Sequence, residues 1–77
     1  MKILNLDKLP VNTTAKIHNV ECNEVLRRRL LDLGLIRGTK ITPIFKSPLG
    51  DPIAYKVRSS TIALRKEDIK NITCFLE

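Results

Sequence analysis

The sequence predicts a mainly β domain, five short strands rolled into a small barrel with one α-helix inserted after the first strand. Three observations carry that expectation. The chain has 77 residues, enough for one hydrophobic core and too few for two. Short runs alternate apolar and polar residues with a period of two, most cleanly Ile53, Tyr55 and Val57, and turn clusters separate them. A single stretch, Glu24–Leu33, carries helical spacing instead and is framed by Asn23 and Gly34.

Ile3–Pro10 reads as a short lead-in, with Leu4, Leu6 and Leu9 able to anchor it to the core. Val11-Asn12-Thr13 is a turn in which Asn12 tolerates positive φ. The first predicted strand is Thr14–Val20, with Ala15 and Ile17 on one face and Lys16 and His18 on the other. Asn23 then stands where a helix N-cap belongs, its side-chain oxygen placed to accept an orphan backbone N–H. Gly34 stands where the chain must leave the helix in a left-handed conformation. Leu35 and Ile36 follow, placed to fold back on the last helical turn.

At about 100° per residue the helix sorts into faces. Val25, Leu26, Leu30 and Leu33 share an apolar arc expected to face the core. Arg29 falls within that arc, so it is expected to snorkel or to pair with a carboxylate such as Asp51. Arg27, Arg28 and Asp32 lie elsewhere, with Leu31 among them on the polar side.

Thr39–Lys46 is the second predicted strand. Pro43 within it lacks an N–H, so that position belongs at an edge or a bulge. Ser47–Pro52 is a turn cluster. Ile53–Val57 is the third strand, Thr61–Arg65 the fourth after a turn at Arg58-Ser59-Ser60, and Asn71–Leu76 the fifth. Lys66–Lys70 reads as one turn of α- or 3₁₀-helix. Phe45 and Tyr55 are expected inside the barrel, and the helix is expected to cap one of its open ends.

Composition narrows function. The net charge is +6 and the pI is near 9.8. This favours an acidic partner, whether nucleic acid, an anionic membrane surface or an acidic protein face. The basic residues are spread along the chain, and the aromatic residues are only Phe45, Tyr55 and Phe75. That leaves little platform for stacking bases or for a proline-rich peptide. No nucleophile–base pair, carboxylate pair or phosphate loop is visible, so the expectation is a binding module and not an enzyme, with no cofactor. No tract approaches the roughly 20 apolar residues of a membrane span, and the first ten residues lack a signal-peptide core. The expected location is the cytoplasm. Cys22 and Cys74 are read as small buried hydrophobes, with a disulfide or metal site as the alternative. His18-x3-Cys22 is too few ligands to assign a metal.

The order of motifs RRRLLDLGLIRGTKI, SPLGDPIAYKV and IALRKEDIKNI resembles the FeoA family, small accessory proteins of bacterial ferrous iron transport. The resemblance runs from about Leu6 to Phe75. It implies an SH3-like barrel with a helical insertion, spanning residues 1–77 as one domain. It also implies a partner, the FeoB iron permease with its cytosolic GTP-binding part. The usual family glycines of the first turn and of the turn before the fourth strand are replaced by Val11-Asn12 and Ser59-Ser60. The residues expected to touch the partner are Arg27, Arg28 and Leu31 on the helix, and Pro48, Leu49, Gly50 and Asp51 in the turn cluster. An exposed leucine between arginines suits an interface core. Membrane association is expected only through the partner, and self-association is open. The alternatives are a module like the SH3-like end of iron-dependent repressors, a nucleic-acid binder, or an iron carrier using His18, Cys22 and Cys74.

Overall fold

In the computed structural model, which describes residues 2–76, six antiparallel strands form one sheet in the order β1-β6-β2-β3-β4-β5. The strands are β1 (Lys2–Asn5), β2 (Ala15–Asn19), β3 (Lys40–Lys46), β4 (Ile53–Val57), β5 (Ser60–Leu64) and β6 (Thr73–Leu76). The helices are α1 (Glu24–Asp32) and the single turn α2 (Lys66–Ile69). Met1 and Glu77, the ends of the expected 1–77 domain, lie outside the described residues.

The mainly β fold with its inserted helix is the predicted one, and β1 is an addition to it. The expected lead-in, Ile3–Pro10, in fact opens within a strand: Lys2–Asn5 pairs with β6, Ile3 opposite Phe75 and Leu4 opposite Cys74. Its backbone partner lies at the other end of the chain, and its own residues are mostly exposed, so no local alternation announces a strand.

The sheet curls around one core. Ile17 of β2, Ile41 of β3, Ile53, Tyr55 and Val57 of β4, Leu64 of β5 and Cys74 of β6 all point into it. Each large apolar side chain buried in this way stabilises the fold by about 1.5–3 kcal/mol before conformational entropy is subtracted. The outer strands β1 and β5 do not pair with each other. A 3₁₀ turn at Leu6–Lys8 follows β1 and packs against α2. Leu6 and Leu9 are fully buried there, the Leu6 N–H donates to the Ile72 carbonyl at 2.8 Å, and the Tyr55 hydroxyl donates to the Leu6 carbonyl at 3.4 Å.

Pro43 sits beside a bulge, a position that tolerates its missing N–H. The β2–β3 ladder covers only Lys40 and Ile41, so the outer edge of β3 at Pro43 needs no donor, and the Pro43 carbonyl accepts from the Asn12 N–H at 2.6 Å. The bulge overturns the expectation for Phe45. Pro43 pairs with Tyr55 and Phe45 with Ala54, leaving Ile44 as the extra residue. Simple alternation would put Phe45 inside with Pro43. The extra residue reverses the phase, and Phe45 is 60% exposed.

Helix α1 lays Leu26 and Leu30 on the core. The rest of the predicted arc does not reach it: Leu33 is half-buried, and Val25, at the first turn, faces solvent. Arg29 is also exposed and does not meet Asp51. The Asp51 carboxylate accepts instead from the Lys66 N–H at 2.9 Å, capping the first turn of α2.

Candidate functional site

The helix ends are built as their residues dictate. Asn23 Oδ1 accepts from the Leu26 N–H at 2.8 Å. At the other end Gly34 takes φ +83, the Leu35 N–H reaches back to the Leu30 carbonyl at 2.8 Å, and the Gly34 N–H reaches the Leu31 carbonyl at 2.9 Å. This is the Schellman arrangement, and it turns the chain sharply so that Leu35 is buried beneath α1 while Ile36 stays outside.

Thr39 locks the loop that follows. It is nearly buried, its hydroxyl donates to the Gly34 carbonyl at 3.0 Å, and its oxygen accepts from the Ile36 N–H at 3.1 Å. The Gly38 N–H donates to the Ile17 carbonyl at 2.8 Å and the Ile17 N–H to the Thr39 carbonyl at 2.9 Å, stitching the loop to β2.

A groove of about 270 Å³ results between α1, this loop and the end of β2. Its apolar residues are Val20, Leu31, Leu35 and Ile36. Arg27 and Arg37 add two cations, and His18 and Asn19 line the strand side. Leu31 is 51% exposed and Ile36 52% exposed, so two large apolar side chains stand in water beside guanidinium groups. Such a surface fits an apolar side chain flanked by carboxylates.

Of the residues singled out in the sequence, Arg27 and Leu31 line this groove. Arg28 is exposed on the same helix but is not part of the lining. Pro48, Leu49, Gly50 and Asp51 form the β3–β4 turn and are not part of it either. Ile36 and Arg37 were missed. Ile36 was expected to pack on the helix, and the glycine turn that instead presents it to solvent was the available signal.

His18 and Cys22 do not converge. His18 lines the groove, whereas Cys22 lines a separate hollow with Glu21, Glu67 and Asp68. His18 Nδ1 lies 3.1 Å from the Thr73 hydroxyl, and its ring meets Phe75 edge-on at 6.4 Å between centroids. Burial pushes the Cys22 thiol above its ordinary value, with Arg27 pulling the other way, and burial pushes the Cys74 thiol up to about 11. Both shifts favour the protonated thiol. Among the described residues no three His, Cys, Asp or Glu side chains are grouped to hold a metal ion, and no helix is long and apolar enough to cross a membrane.

Comparison with known proteins agrees with the architecture. The FeoA domain family matches residues 4–74. A fusion of Fe(2+) transport protein A with the Fe(2+) transporter FeoB from Porphyromonas gingivalis is 35% identical over 69 residues, 90% of this chain. The chain spans only 8% of that protein's length. The solution structure of the FeoA protein from Chlorobium tepidum superposes with a TM-score of 0.87 at 32% identity, over 96% of this chain and 71% of that one. A zinc complex of FeoA from Stenotrophomonas maltophilia, described as a procaryotic SH3 domain protein, gives 0.80 at 29% identity over 94% and 89%.

Proposed function

Because the chain belongs to the FeoA family, we propose that it is an accessory interaction module of ferrous iron uptake that docks on a FeoB-type permease. The contact is the groove lined by Arg27, Leu31, Ile36 and Arg37, and the partner surface is the permease's cytosolic GTP-binding part. The observation that carries this reading is the pair of half-exposed apolar side chains, Leu31 and Ile36, held between two arginines on a hydrogen-bonded frame. Interfaces concentrate their energy in such places, where an apolar anchor is desolvated and arginine supplies directed donors. The relative in which the two proteins are one chain supports a physical association.

The test is an amide NMR titration of labelled protein with the soluble GTP-binding domain of the permease, with and without nucleotide. Shifts centred on Arg27, Leu31, Ile36 and Arg37 are expected. Leu31→Asp is expected to weaken binding roughly tenfold or more while leaving the spectrum folded, because Leu31 is outside the core. Full-strength binding by this variant, or shifts confined to other surfaces, would reject the groove as the contact.

A further inference from the structure

The β3–β4 hairpin tip lies at the other end of β3 from the groove. The groove reaches Arg37, before β3 begins, and the tip follows Lys46, where β3 ends. Seven strand residues separate the two by roughly 20 Å. At the tip Leu49 is 96% exposed, the most exposed large apolar residue among the described residues. Phe45 stands on the outer face one row below, in the register row of Ala54 and Ala63. Leu49 projects from a turn, so it has the form of a probe and not of a pocket.

Basic residues stand at the same end of the sheet. The row Lys46, Ile53, Leu64 crosses the three strands at the tip end. Arg65 and Lys66 therefore follow β5 at the same end. The Lys66 ammonium hangs over the turn itself: a Cβ built on Gly50 would sit 3.4 Å from its nitrogen. The one carboxylate of the turn, Asp51, is drawn back to the Lys66 N–H. Glu67 and Asp68 of α2 line the separate hollow with Glu21.

We infer that this tip seats on an anionic lipid surface, with Leu49 and Phe45 entering the interfacial layer and Lys46, Arg65 and Lys66 meeting lipid phosphates. An apolar probe with basic residues at the same end supplies the two weak signals that together give reversible membrane attachment. A deformable lipid layer accepts a projecting side chain without a preformed pocket, and this favours lipid over a folded acidic protein.

The chain contains no tryptophan, so Leu49→Trp makes a single fluorescent reporter at a site where packing does not constrain it. Vesicles of equal parts phosphatidylglycerol and phosphatidylcholine are expected to shift its emission to the blue. Pure phosphatidylcholine vesicles are not, and added salt should reverse the shift. Leu31→Trp, in the groove, should stay unshifted. In co-sedimentation with the anionic vesicles, Leu49→Ser is expected to bind roughly tenfold more weakly than the wild type, since it loses an apolar side chain and no charge. An unshifted Leu49→Trp, equal shifts at positions 31 and 49, or a Leu49→Ser variant that sediments like wild type would each overturn the inference. A shift with polyglutamate but not with vesicles would overturn it in favour of an acidic protein. None of these results bears on the groove, whose test uses a soluble domain.

Discussion

Gly34 shows how one residue decides where a binding surface points. Its φ of +83 lies in the left-handed region, and a Cβ there would stand 2.6 Å from Arg58 Nε. The steric part is cheap to relieve, because Arg58 is exposed and its side chain can swing away. The backbone part cannot be relieved. Gly34→Ala is therefore expected to cost about 1–2 kcal/mol in a urea melt, and adding Arg58→Ala should not restore it. Buried ionisable groups give a second test at this scale. Burial raises the Cys74 thiol from its ordinary 9.0 to about 11 and raises the Tyr55 phenol above its ordinary 10.0. The folded chain thus keeps protons that the unfolded chain releases. Stability should be level below about pH 9 and fall from there as pH rises toward 11. Urea midpoints across that window check this, and Cys74→Ala should flatten the early part of the decline.

At the scale of elements, the short helix α2 depends on a residue outside it. Its N-cap position, Arg65, makes no side-chain cap, and Asp51 reaches over from the hairpin turn to do so. Asp51→Ala is expected to cost about 1 kcal/mol, while Asp51→Asn, which keeps an acceptor oxygen, should cost much less. A matching loss in both variants would mean that charge and not the hydrogen bond matters. The elements also show what a sequence can and cannot disclose. The helix was legible because its signals are local: Asn23 caps it, Gly34 ends it, and Leu26 and Leu30 are one turn apart. The alternation Ile53, Tyr55, Val57 was legible for the same reason. β1 was not, because what makes it a strand is β6, at the far end of the chain. Phe45 was misread because parity along β3 is broken at Ile44, which only the pairing with β4 reveals. Of the candidate site, Arg27 and Leu31 could be found from helical spacing. For Ile36 the glycine turn at Gly34 was a local hint, but the place of Ile36 and Arg37 beside Leu31 also depends on how the loop is sewn to β2 through Gly38 and Thr39.

For the whole molecule, Leu6 ties the start of the chain into the core, fully buried, with its carbonyl receiving the Tyr55 hydroxyl and its N–H donating to Ile72. Leu6→Ala is expected to cost about 2–5 kcal/mol in a denaturant melt, a large share of what so small a fold can hold. Val25→Ala, at an exposed apolar position, should cost little. The resulting body has its groove and its hairpin tip at opposite ends of β3, so two attachments can act without competing for space. The bulge in that strand has one more consequence. Pro43 and Phe45 are two steps apart in the chain, yet their partners Tyr55 and Ala54 are neighbours. A chain lacking Ile44 could keep every one of these pairings, so members of this fold are free to differ in length by one residue at this point. Two such sequences written out without a gap there would set an inward-facing proline row and an outward-facing aromatic row out of step, although the folded strands coincide.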